Sequence, residues 1–371
     1  MPEKGAMTVR DTDTQPTGVS LPMSPDGSSR ELIRNAVACR NAGRLPYGIG
    51  VNVEYFEQRF GKEDGARLRE HVARMPRDWG EYGYGPPESW TATRDAETGI
   101  LPDEWGVGWG DPLMPRVTTH PLQGGYHLLE TYPFPDPHAQ GRFDAVKQQI
   151  TEGCAAGKYI LAQVWFTLFE RLWFLRGFNE LLTDIYLAPE SFAGLRDRIV
   201  EFNLAMIRQW TDLGVDGIWF SDDWGTQQAL LMRPEDWREH FLPSYKRLFD
   251  AARAGGAQVW MHLCGNVTAI VGNLVEAGLN VLNPLQSQAL DLEQLARDFG
   301  GKLCFHGGID VQKTLPFGTP QQVKDEVRWL CERLGGTGGY IASSSHSIMP
   351  ETPIENLIAM FEALEEHTAR G

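Results

Sequence analysis

His262-Leu263-Cys264-Gly265 sets an imidazole and a thiol two residues apart. At the end of a β-strand, alternate side chains point to the same side, so the two groups could share one metal ion. A borderline-soft ion such as Zn2+ accepts both nitrogen and sulfur and takes the sulfur as thiolate. The competing reading is a buried cysteine beside a histidine satisfied in the core. A catalytic zinc centre has three protein ligands and one open position, and His120, His306 and His346 are available as the third. His346 is chosen because Ser343-Ser344-Ser345-His346-Ser347 reads as a strand end followed by a helix start at Thr352. Its other reading is a hydrogen-bond donor to substrate. His306 lies in Phe305-His306-Gly307-Gly308-Ile309-Asp310, where paired glycines allow a ligand close to the backbone. It is read as pocket lining and counted among the catalytic candidates.

Asp222-Asp223 precedes Trp224-Gly225, and Asp103-Glu104 precedes Trp105-Gly106. Two adjacent carboxylates raise one another's pKa if they are buried, which suits general acid or base work. The alternative is that one caps a helix or pairs with an arginine. One of Asp222 and Asp223 is expected to touch substrate and the other to be structural. Asp103 and Trp105, in an aromatic loop, are expected to line a pocket for a large flat ligand.

These residues need a scaffold. From Lys158 onward, short β-branched or aromatic runs alternate with helices: Tyr159–Trp165, Gly217–Phe220, Gln258–Met261, Asn280–Asn283, Lys302–Phe305 and Tyr340–Ala342. Such alternation means parallel strands with crossover helices. Helix starts are marked by Pro234, Pro320 and a capping box at Thr352, Pro353 and Glu355. No glycine-rich phosphate loop follows any strand, so a single (β/α)8 TIM barrel is favoured over an open nucleotide-binding sheet. In a barrel the residues after each strand meet around one mouth. Asp222, Asp223, His262, Cys264, Gln286, His306, Asp310, Ser345 and His346 then share a pocket, with Gln286, Asp310 and Ser345 as substrate contacts.

The barrel is expected to span residues 29–371, after a disordered tail over 1–28 that has too few apolar residues to offset the entropy of ordering. An extended run covers Tyr47 to Val53, and the Trp- and Gly-rich stretch 78–140 reads as long irregular loops. The net charge is −15, without a basic stripe, which disfavours nucleic acid as a partner. The longest apolar run, Tyr159 to Phe178, contains Gln163, Glu170, Arg171 and Arg176 and does not read as a membrane span. The start has no apolar signal-like core, and five scattered cysteines argue for reduced thiols, so a cytoplasmic protein is expected. A homodimer is compatible with the sequence.

Together, these motifs resemble the uroporphyrinogen decarboxylase superfamily, which includes corrinoid-dependent methyltransferases. The resemblance covers roughly Ser29 to His367 and rests on Asp103-Glu104-Trp105-Gly106, Gly217 to Asp223, His262 to Asn266, Gly308-Ile309-Asp310 and His346 to Pro353. It implies a (β/α)8 barrel with its site at the C-terminal ends of the strands. The decarboxylases carry an arginine-rich loop after the first strand. Here the similar Arg40-Asn41-Ala42-Gly43-Arg44 precedes the Tyr47 run, at the end of a helix. The methyltransferases use His-x-Cys-Gly plus a later cysteine to hold zinc, and that cysteine position falls at His346. The resemblance therefore implies Zn2+ on His262, Cys264 and His346. It also implies a corrinoid or methylcobalamin as cofactor or co-substrate, a small methyl donor or acceptor, and a corrinoid protein as a possible partner. The alternatives are decarboxylation of a tetrapyrrole or smaller acid, with Asp222 or Asp223 handling the proton, and a non-catalytic tetrapyrrole-binding protein.

Overall fold

A computed structural model describes residues 28–40, 43–110 and 116–369. The expected disordered tail lies outside the described residues except for Ser28, which caps the first helix by accepting a hydrogen bond from the Glu31 N–H. Ten strands occur in chain order. They are β1 (Trp79–Gly83), β2 (Leu101–Pro102), β3 (Gly108–Trp109), β4 (Val117–Thr119), β5 (Tyr159–Val164), β6 (Gly217–Ser221), β7 (Gln258–His262), β8 (Val281–Leu285), β9 (Cys304–Ile309) and β10 (Tyr340–Ser344). One seven-stranded sheet runs β1-β5-β6-β7-β8-β9-β10, with every pairing parallel. Its central strands are buried on both faces, which is why they read as nearly continuous apolar runs.

The sheet curls. Trp79 on β1 and His306 on β9 stand five places apart in strand order, yet their rings lie 6.1 Å apart. The inner face collects Tyr159, Leu161, Trp219, Trp260, Val281, Cys304 and Ile341 into one cluster. Beside β10, the Tyr47 segment adds a single parallel bridge to Ala342. The Gly48 N–H donates to Ala342 O at 3.1 Å, and the Ala342 N–H donates to Pro46 O at 2.9 Å. A Cβ on Gly48 would fall 2.4 Å from the Trp79 ring, so this segment also abuts β1. The described chain thus has seven parallel strands and a bridging segment where eight strands were expected.

One end of the curled sheet is sealed. Ile33, Ala36 and Val37 of helix Ser29–Val37 pack into the inner cluster. Arg30 and Arg34 hold the buried carboxylate of Asp216, just before β6, at 2.7 and 2.6 Å. Asp216 also accepts from the Ile160 N–H on β5 at 2.9 Å, so this end is pinned to two strands.

Some boundaries differ from the expectation. The 47–53 run supplies one bridge and then turns into helix Val53–Phe60. Within 78–140, Trp79–Gly83 is an edge strand of the main sheet, and β2–β4 form a small antiparallel sheet. Pro234 and Pro320 do begin helices, but Thr352 makes no cap: its buried hydroxyl has no partner among the described residues, and Glu355 pairs with Arg67. The capping box that forms joins Thr319 and Gln322.

Candidate metal centre at the strand ends

His262 ends β7, and Cys264 follows two residues later on the same side. Cys264 Sγ lies 3.2 Å from His262 Nε2. His346, in the loop after β10, brings its ring 5.9 Å from that of His262. One potential ligand atom from each of the three residues lies within 4.8 Å of the others. Ligands at about 2.0–2.3 Å in a tetrahedron around one zinc ion lie about 3.3–3.8 Å apart, so the widest spacing here would close by about 1 Å on binding.

Two loops cross to make this turn. Gly225 N–H donates to Cys264 O at 3.1 Å, and Asn266 N–H donates to Thr226 O at 2.7 Å. Gly265 adopts φ +83°, and a Cβ there would lie 2.3 Å from the Gly225 backbone. Glycine at both crossing points is therefore what lets the loops after β6 and β7 touch. Gln286 accepts from the Gly265 N–H, fastening the turn to the end of β8.

The imidazole is held by a residue the sequence reading did not single out. Asn283, on the inner face of β8, places its oxygen 2.7 Å from His262 Nδ1. A proton on Nδ1 leaves the Nε2 lone pair facing Cys264, as a metal-ligating histidine requires. The signal was a polar residue in the strand Val281–Leu285, two places from the inward Val281. Burial lowers the His262 pKa and, with Asp223 nearby, raises that of the Cys264 thiol. A cation between them offsets the cost of a buried thiolate.

The two aspartates divide. Asp222 is fully buried and accepts from the N–H groups of Leu168 and Glu170, both at 2.8 Å, and from the Tyr245 hydroxyl at 2.7 Å. It caps the helix Phe169–Arg176 and is closed to substrate. Asp223 has a 45% exposed side chain, accepts from the Cys264 N–H at 3.0 Å and lies 3.8 Å from His262 Nε2. Between them sits Glu170, also missed, its carboxylate bonded by the Ser221 hydroxyl at 3.3 Å. Burial, with Asp222 and Asp223 alongside, pushes Glu170 up to about 9, and burial raises Asp222 to about 7. Three donors already serve the Asp222 carboxylate, so Glu170 keeps the proton.

The other candidates are structural. Asp103 accepts from the N–H groups of Trp105 and Val107 and pairs with Arg171 at 3.0 Å, while Trp105 is buried against Phe134 and Phe202. Asp310 is 1% exposed and accepts from the N–H of Gln312 and the amide of Gln288. The buried Ser345 hydroxyl accepts from the Val311 N–H. These four fasten loops, and none of them belongs to the ligand group found among the described residues. His120 Nδ1 donates to Phe174 O at 2.8 Å and is not part of the ligand group. His306 is inside the sheet, 3.1 Å from the Asn283 amide, against Trp79, Trp219 and Trp260; burial takes its pKa down to about 3. Arg44 pairs with Asp78 instead of forming an anion-binding loop, and Asn41 and Ala42 of the Arg40–Arg44 run lie outside the described residues.

A curled parallel sheet with chemistry-bearing residues at its C-terminal strand ends defines an α/β enzyme class. More particularly, residues 166–367, over half of the chain, match the uroporphyrinogen decarboxylase family, and the chain belongs to that family. A uroporphyrinogen decarboxylase from Syntrophotalea carbinolica is 27% identical over 194 residues, covering 52% of this chain and 54% of the relative. One from Thermus thermophilus is 28% identical over 176 residues, covering 47% and 48%. The chain thus spans about half the length of these curated relatives. In fold, it is similar to a methyltransferase from Methanosarcina mazei, with a TM-score of 0.65 and 17% identity, covering 91% of this chain and 98% of the other. No helix among the described residues is long and apolar enough to cross a membrane.

Proposed function

We propose that the protein is a zinc-assisted methyltransferase of the corrinoid-dependent type, built on a (β/α)8 barrel. It would move a methyl group between a donor, such as a methoxylated compound or methylcobalamin, and a corrinoid or thiol acceptor. A bound corrinoid or a corrinoid protein would approach at the strand ends. The observation that carries this reading is the gathering of His262, Cys264 and His346 ligand atoms within 4.8 Å, with Asn283 leaving His262 Nε2 free to ligate.

A zinc ion held there would lower the pKa of a thiol or polarise an oxygen of the donor. The chain's own groups do the rest. Asn283 orients His262, Asp223 and Gln286 fix the Cys264-Gly265 turn, and Glu170 holds a proton beside Asp223. The cysteines are all free, in keeping with a cytoplasmic setting.

The names of related proteins divide between decarboxylase and methyltransferase. A decarboxylase acting on a substrate with many carboxylates needs cations, yet Arg171 and Arg176, on the helix after β5, are taken up by Asp103 and Asp184. The test is zinc per chain by elemental analysis on untagged protein, with Cys264→Ser alongside. About one zinc in the wild type, lost in the variant together with methyl transfer to a thiol, supports the reading. No metal in either protein overturns it and returns the site to metal-free chemistry on Asp223 and Glu170.

A further inference from the structure

Two buried side-chain nitrogens inside the sheet lack a hydrogen-bond partner among the described residues: Trp219 Nε1 and His306 Nε2. Trp219 is 7% exposed and His306 3%, and their rings lie 5.7 Å apart on the inner faces of β6 and β9. An indole nitrogen can only donate. The imidazole nitrogen is also a donor, by the following geometry. The Asn283 NH2 reaches both His306 Nδ1 at 3.1 Å and the His306 carbonyl at 3.4 Å, and a carbonyl only accepts. Nδ1 therefore accepts as well, and the ring hydrogen sits on Nε2. Each buried donor left unmade is costly, so two on neighbouring rings mark the place of an acceptor.

The surrounding wall says what kind of acceptor. Trp165 is 38% exposed, lies 5.6 Å from Trp219 and 6.0 Å from the His262 ring, and so is met first from the solvent side. Its indole N–H donates to Gln163 at 2.8 Å; Gln163 in turn donates to Glu81 at 3.0 Å, as does Trp79. Trp79 stands 6.1 Å from His306. The wall is thus aromatic, offers two free N–H donors, and has no lysine or arginine among these residues to neutralise an anion.

We infer that this wall recognises the uncharged oxygen, hydroxyl or ether, of a flat aromatic ligand lodged against Trp165, with Trp219 and His306 donating to that oxygen. This deepens the methyl-transfer reading by naming the class of its small substrate, and it rests on that reading only for the identity of the reaction. The lack of a cation among these residues sets the discrimination against a carboxylate at the same place.

The test titrates phenol, toluene and benzoate into the full-length protein by calorimetry, with and without one equivalent of zinc. Phenol is expected to bind about tenfold tighter than toluene, the scale of one or two net hydrogen bonds, and tighter than benzoate, whether or not zinc is present. Trp219→Phe keeps a ring and loses the donor, so it should bring phenol to within about threefold of toluene while toluene is unchanged. The wild-type comparison decides the matter if the variant does not fold. Equal affinity for phenol and toluene, a preference for benzoate, or a phenol preference that appears only with zinc overturns the inference. A phenol preference in a protein that binds no zinc leaves this inference standing and removes the metal reading alone.

Discussion

Two segments of this chain read acid, acid, Trp, Gly, and the structure uses them differently. In Asp103-Glu104-Trp105-Gly106 the first acid holds its own loop and Arg171, and the second forms two hydrogen bonds to the buried Arg142 at 2.6 and 2.9 Å. In Asp222-Asp223-Trp224-Gly225 the first acid again holds backbone N–H groups, those of Leu168 and Glu170. No ion pair to an arginine or lysine is found for either acid of this second segment among the described residues, and Asp223 keeps a 45% exposed side chain beside His262. Both tryptophans are simply buried. What separates the two pairs is therefore the partner across the gap: an arginine neutralises each acid of the first, while a third carboxyl, Glu170, faces the second.

The largest effect expected from this contrast is on the shared cap. Asp222→Ala strands two backbone N–H groups and the Tyr245 hydroxyl in the core and should cost about 4 kcal/mol of unfolding free energy in urea. A loss below about 1 kcal/mol would mean Asp222 is not the cap described. Next come the second acids. Glu104→Ala leaves Arg142 buried without its carboxylate and should cost about 3 kcal/mol. Asp223→Ala should cost less than about 1 kcal/mol yet weaken zinc binding about tenfold. Equal stability losses for the two variants would erase the contrast.

The remaining effect is a pH slope. The folded pKa of Glu170 is raised to about 9 from the ordinary 4.5. The folded state then holds a proton that the unfolded chain releases. The associated stability is full below about pH 4.5 and is lost as pH rises toward 9. Glu170→Gln mimics the protonated acid, so between pH 6 and 9 it should gain on the wild type by up to about 1.4 kcal/mol per pH unit. A parallel pH dependence of the two proteins would show that Glu170 is ionised throughout.

The late half was legible because fully buried parallel strands such as Gly217–Phe220 and Tyr340–Ala342 are unbroken apolar or small runs. His262-Leu263-Cys264 carries its own geometry in a period of two. Trp79-Gly80-Glu81-Tyr82-Gly83 was unreadable as a strand because it contains two glycines, an acid and no β-branched residue; its exposed acid accepts from Trp79 and Gln163. Asp310 and Ser345 sat where a barrel places substrate contacts, but their oxygens serve nearby backbone N–H groups, which residue type alone does not reveal. Asn283 and Glu170 were missed for the opposite reason: each looks incidental until the residue opposite it, His262 or Asp222, is in place.

The helix that plugs the far end of the sheet has a consequence for traffic. With Ile33, Ala36 and Val37 filling that end and Arg30 and Arg34 latched to Asp216, the end that carries His262, Cys264 and His346 is left as the doorway. Two reactants that meet inside must use the same doorway in turn. The smaller must be seated before the bulkier covers the opening, and it cannot leave until that cover lifts. For the two-substrate transfer proposed above, steady-state kinetics would then show a compulsory order of addition, written into the molecule by a nine-residue stopper at the end opposite to the proposed chemistry.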